Sequence, residues 1–157
     1  MKTVTTAIIL GLFGAIAVFV SSSLNWPTWI IFLAWVSYYL FGKSIKTSLP
    51  ILLQMVLGII MGLLIQVTGY YFANNLGIIG FPLAVFFFIG SLAFISKVKL
   101  LNNIPAWFLG LIVFFGIHPK MELIPLLSLS IPLMAGFIFA WSNDFALNYF
   151  STKNSNL

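Results

Sequence analysis

The chain has no cysteine and no arginine, and it carries one histidine and two acidic residues in 157 positions. Without cysteine there are no disulfides, no thiolate metal ligands and no thiol nucleophile. Without arginine there is no bidentate clamp for a carboxylate or a phosphate. Charged residues make up 6% of the chain, against about a quarter in ordinary soluble domains. Nine charges cannot solvate the surface of a soluble protein of this size. The net charge of +5 comes from seven lysines scattered in ones and twos. They form no basic stripe, which excludes a nucleic-acid partner.

What the chain has in abundance is apolar side chain, 62% of all residues. A membrane-spanning helix needs about 20 mainly apolar residues. The apolar runs predict an all-α integral membrane protein of six transmembrane helices, at residues 4–22, 26–42, 48–69, 77–96, 104–117 and 123–144, followed by a polar tail. Lys2, the apolar run to Val20 and Ser21-Ser22-Ser23 resemble a signal peptide. The run is long enough to span, and everything after it is also membrane-like, so it reads as a retained first helix. Residues 1–157 are expected to form one polytopic membrane domain with no separate soluble part. The fifth segment is short, since 14 residues rise only about 21 Å against a hydrocarbon core of about 30 Å; were it re-entrant, Lys120 would lie inside with Lys97 and Lys99, and Lys153 outside.

Lysine placement sets orientation. With both termini cytoplasmic, Lys2, Lys43, Lys46, Lys97, Lys99 and Lys153 lie inside and only Lys120 outside, beside Glu122. Trp26, Trp29, Tyr70 and Tyr71 then fall at the outer interface, and Tyr38, Tyr39, Trp107, Trp141 and Tyr149 at the inner one, as an aromatic belt requires.

A motif occurs twice. Asn25-Trp26-Pro27-Thr28-Trp29 opens a helix that reaches Phe41-Gly42, crosses a lysine-bearing turn and enters a second helix at Leu49-Pro50. Asn103-Ile104-Pro105-Ala106-Trp107, Phe115-Gly116 and Ile124-Pro125 repeat this order. Pro27 to Pro50 spans 23 residues and Pro105 to Pro125 spans 20; Gly62 and Gly136 follow the second proline by 12 and 11. The halves, about 1–73 and 74–150, would each hold three helices. An odd number makes the second half enter from the opposite side, an inverted repeat of the kind many transporters use. Small residues recur four apart, at Ala7/Gly11/Ala15, Gly58/Gly62, Gly80/Ala84, Ala106/Gly110 and Gly136/Ala140. Such pairs let helix backbones approach in lipid. Pro82 and Pro132 are expected to kink helices or to free backbone carbonyls.

Polar groups at depth are few. Gln54, Ser37, Ser91, Ser128 and Ser130 are the candidates to line a pathway for a small neutral or weakly ionised solute; the competing role is interhelical hydrogen bonding. Asp144 is the one acidic residue that could lie in the membrane, which makes it a candidate ionisable site. Its competing role is pairing with Lys43 or Lys46, or snorkelling to water, near the cytoplasmic end. His118 has no second histidine beside it, so no metal site is expected. No cofactor is expected either. There is no nucleophile with a base, no acid–base pair and no phosphate-binding glycine loop, so an enzyme is not expected.

The stretch from Trp26 to Gly42, with the glycine-bearing helix before it and the Gly58/Gly62 helix after it, resembles the bacterial inner-membrane family of domain of unknown function 1097. That family reads Trp-x-x-Phe-x-Ala-Trp-Ala-Ser-x-Phe here, followed by a glycine-rich turn. Trp29, Phe32, Ala34, Trp35 and Ser37 match, Tyr39 stands near the family's phenylalanine, and the turn is reduced to Gly42. The resemblance implies a compact helical protein of the bacterial cytoplasmic membrane and no particular activity. The residues themselves point to a small-solute channel or permease, with a non-transporting membrane subunit or scaffold packed on a partner as the alternative. The bilayer and a second copy of the chain are the expected partners.

Overall fold

The computed structural model describes residues 2–119 and 122–153. Lys120 and the tail from residue 154 lie outside the described residues, as do the side chains of Lys2, Leu123 and residues 151–153. Among the described residues the chain is helical throughout: α1 (Lys2–Ser23), α2 (Thr28–Leu40), α3 (Ile45–Leu76), a 3-10 turn (Gly77–Ile79), α4 (Gly80–Ile95), α5 (Ile104–Ile117), α6 (Leu123–Ser128) and α7 (Ser130–Lys153). Three apolar helical stretches are long enough to cross a bilayer, Thr3–Ser23, Ile45–Ile95 and Ile124–Phe150; Thr28–Leu40 and Ile104–Ile117 are apolar and shorter.

Helices α1 and α5 run as the apolar pattern predicts, and the others depart from it for local reasons. α2 covers 13 residues rather than the expected 26–42. Asn25 sits at φ 53° and Pro27 in an extended conformation, so the helix starts only at Thr28. It ends where Gly42 takes φ 128° and the Lys43 N–H bonds back to the Tyr38 carbonyl at 3.0 Å, a glycine-closed helix end. α3 is longer than the expected 48–69. The Ser44 hydroxyl accepts from the Thr47 N–H at 3.2 Å and closes the start, which places Pro50 inside the helix rather than in its first turn. Helix continues through the polar Tyr70–Asn75 stretch to Leu76.

Gly77 stops it at φ 65°. A Cβ there would touch nothing within 4 Å, so Gly77→Ala costs backbone strain alone, about 1–2 kcal/mol. The expected readout is a lowered melting temperature in detergent, with Gly77→Asn, which tolerates this region, melting closer to the unaltered protein.

Pro82 proves to be the third residue of α4, a first-turn position that asks for no kink. The expected helix 123–144 is instead broken at Leu129 into α6 and α7. Pro132 lies in the first turn of α7 and cannot supply an N–H to the turn before it. α7 then runs to Lys153, nine residues beyond Asp144.

Contacts divide the chain into two compact units, Met1–Leu49 with Ser130–Leu157, and Pro50–Leu129. In the first, α2 packs on α7, and α1 packs on both. Its buried side chains include Ile30, Ile31, Ala34, Leu133, Phe137 and Ala140. Gly136 makes the approach close, because a Cβ there would collide with the Ile31 carbonyl and the Ala34 side chain. In the second unit a core of Met61, Ile65, Leu92, Trp107 and Leu111 is covered by Phe81, Phe88 and Phe115. Here α3 meets α5 at glycines: a Cβ on Gly58 would land on the Trp107 carbonyl, and one on Gly110 on the Met55 carbonyl. These units are packing units and do not follow the sequence halves 1–73 and 74–150.

Candidate functional site

The close passage of α2 over α7 brings a polar cluster together inside the first unit. One turn above it Trp35 stacks on Phe139, with ring centroids 6.3 Å apart and planes 6° from parallel. Below that stack Tyr38 and Tyr39, adjacent on α2, meet Asn143 and Asp144, adjacent on α7. The Tyr38 hydroxyl donates to Asp144 Oδ2 at 3.2 Å. The Tyr39 hydroxyl donates to Asn143 Oδ1 at 2.8 Å. The two tyrosine rings pack edge to face at 5.4 Å.

Asn143 is fully buried at 0% exposure. Its Nδ2 has no hydrogen-bond partner, a costly state for a buried donor. Asp144 is half-buried. Lys43 Nζ lies 5.1 Å from the Tyr39 ring centroid, and the carboxylate accepts from the Tyr38 hydroxyl. Asp144 also sits in the middle of α7, within the apolar stretch Ile124–Phe150, not at a helix end.

The other sequence candidates are spread over both units. In the first, Ser37 is buried and donates to the Leu33 carbonyl at 2.8 Å, and Ser130 is half-buried at the start of α7. In the second, Gln54 is buried, its Nε2 donating to the Pro50 carbonyl at 3.0 Å and its Oε1 accepting from the Asn103 N–H at 2.7 Å. Ser91 donates to the Phe88 carbonyl at 2.6 Å and Ser128 to the Pro125 carbonyl at 2.7 Å. Each of these three serines, Ser37, Ser91 and Ser128, donates to its own helix and keeps its oxygen as an acceptor. His118 is exposed, closes α5 at φ 50°, and no group of three metal-ligating side chains occurs among the described residues.

Residues 7–147 match the family described as protein of unknown function DUF1097. The chain belongs to that family. No curated protein and no solved structure matches it. The matched stretch of this DUF1097 member holds both Asn-x-Pro-x-Trp motifs, all five polar candidates and the whole of the Tyr38–Tyr39–Asn143–Asp144 cluster. From the sequence alone Asp144 stands out as a candidate, whereas Tyr38 and Tyr39 read as interface-belt aromatics. The signal that could have joined them is two hydroxyl-bearing rings in tandem at the end of one apolar helix, opposite an amide and an acid in tandem within another.

Proposed function

We propose that this DUF1097 protein is a channel or permease for small uncharged solutes, with six membrane passes and both termini on the cytoplasmic side of the bacterial inner membrane. It works by passage and not by catalysis. The observation that carries the reading is an exchange of helices. The first copy of the motif opens α2 and leads into α3; the second opens α5 and leads into α6 and α7. Yet α2 packs on α7, and α3 meets α5 at Gly58 and Gly110. In each unit the helix opened by one Asn-x-Pro-x-Trp copy lies against the glycine-bearing second helix of the other copy. Gly136 faces Ile31 of α2, four residues after Pro27. Gly58 faces Trp107 and Gly110 of α5, two and five residues after Pro105. This reciprocity is what two related three-helix repeats produce when they trade a helix, and it supports an inverted repeat of the transporter kind.

A second reading, a membrane subunit that docks on a partner or on a second copy of itself, draws on α1. Ala7, Gly11 and Ala15 are exposed there, and Cβ atoms on Gly11 and Gly14 would meet nothing within 4 Å. Stopped-flow light scattering on proteoliposomes separates the two. Faster equilibration of water, glycerol, urea or a small monocarboxylic acid than in empty liposomes is the expected result. No acceleration for any of them would overturn the transport reading in favour of the docking one.

A further inference from the structure

We propose that the Tyr38–Tyr39–Asn143–Asp144 cluster is a binding site for a small uncharged molecule that carries a carbonyl next to an N–H or O–H, that is, an amide or a protonated carboxylic acid. The proposal rests on the transport reading above for its physiological role, though not for its geometry.

The Asn143 side chain is completely buried and its Nδ2 has no acceptor. Buried polar groups in folded proteins are almost always satisfied. A donor of this kind fits a ligand oxygen.

The remaining groups define the other half of the ligand. Asp144 uses one carboxylate oxygen to accept from Tyr38, and a carboxylate has about four acceptor positions. It therefore offers acceptance to an N–H or O–H. Both tyrosine hydroxyls donate to protein oxygens and hold the amide and the carboxylate in place. The Lys43 Nζ lies over the Tyr39 ring, 5.1 Å from its centroid.

Charge then selects the ligand class. An anion would meet the Asp144 carboxylate, and a cation would meet the N–H face of Asn143. A neutral molecule with a carbonyl acceptor beside a donor satisfies both groups at once. Asp144 and Tyr39 are half-buried, and Asn143 is fully buried. The Trp35–Phe139 stack forms an apolar boundary one turn away.

The test uses the full chain in proteoliposomes, with acetamide as the amide probe, acetic acid at mildly acid pH as the protonated-acid probe, and glycerol as a probe that has no carbonyl. Asn143→Leu removes the donor. The expected result is a fall of about tenfold in acetamide or acetic acid flux, the effect of one lost hydrogen bond to a buried site, with glycerol flux changed less. The probe that responds tells the amide from the acid. Equal flux in Asn143→Leu and unaltered protein would overturn the site and leave the transport reading standing.

If no probe moves faster than in empty liposomes, the transport reading fails and the site is judged by binding. Acetamide or acetic acid must then raise the melting temperature of the detergent-solubilised protein and fail to do so in Asn143→Leu; no rise overturns the site as well. If Asn143→Leu does not fold, Tyr39→Phe takes its place. It keeps the ring and releases the amide, and an unchanged response to both carbonyl probes in that variant overturns the proposal.

Discussion

Gly110→Ala is expected to lower the melting temperature of the detergent-solubilised protein by roughly 6–12 °C. A methyl group at Gly110 would fall on the Met55 carbonyl, the Gly58 Cα and the Ile59 nitrogen. All three are backbone atoms of α3, so no side chain can rotate out of the way. Two helices would have to separate. Overpacking costs about 1–3 kcal/mol and more when the backbone must move; about 3 kcal/mol in a chain of this length corresponds to the stated shift. The loss is large because α3 and α5 have few other ways to attract each other in lipid. The hydrophobic effect does not drive helices together there, and close packing takes its place. Gly90→Ala and Gly14→Ala are the controls. A Cβ at either position meets nothing within 4 Å, and each is expected to leave stability unchanged or raise it by up to about 1 kcal/mol. A melting temperature for Gly110→Ala equal to that of the controls would contradict the packing.

Gln54→Met is expected to destabilise by about 2 kcal/mol through a different mechanism. Gln54 is buried, and its Oε1 accepts from the N–H of Asn103 at 2.7 Å. Asn103 is the residue that starts α5, and its own side chain accepts from the Ala106 N–H at 3.1 Å. The glutamine thus holds a helix start from the side of α3, 49 residues away in sequence. Methionine fills a similar volume and keeps the packing, but it leaves the Asn103 N–H unpaired. An unsatisfied buried donor costs about 1–3 kcal/mol. Amide hydrogen exchange localises the effect: the Asn103 amide is expected to exchange faster in the variant, while amides in α1 are unaffected. Unchanged protection at Asn103 would show that the bond does not matter to the fold.

How much of this was legible in the sequence depends on the kind of interaction. Class was legible, because 6% charge and long apolar runs leave few alternatives to a membrane protein. The limits of α5 were legible too. Asn103 and Pro105 are start signals, and the polar His118-Pro119 marks the end. The limits of α2 and α3 were not: Asn25 is of a type that tolerates positive φ but does not require it, and Lys43 at positive φ is a conformation its residue type does not announce. The break at Leu129 was half legible through Pro132, whose effect falls on the turn before it.

Packing partners were the least legible. These helices are apolar on every side, so no polar face says which side turns inward, and small-residue pairs occur on nearly every helix. Nothing in the local pattern tells Gly136 to meet Ile31 or Gly110 to meet Met55. The cluster was hidden for the same reason. Tyr38 and Asp144 are 106 residues apart, and each has an ordinary local role, as a belt aromatic or a helix-end acid. Only the glycine-tight passage of α7 over α2 places the hydroxyls against the amide and the carboxylate.

The central claim is that the two copies of the motif cross the membrane in opposite directions. The absence of cysteine makes the direct measurement simple: single cysteines at Leu24, Asn74, Lys97 and Asn102, all exposed, probed with a membrane-impermeant maleimide on spheroplasts before and after permeabilisation. The account predicts labelling at 24 and 74 in sealed spheroplasts, and at 97 and 102 only once the membrane is opened. Labelling of 24 and 102 from the same side would place both Asn-x-Pro-x-Trp motifs on one face and contradict the inverted repeat.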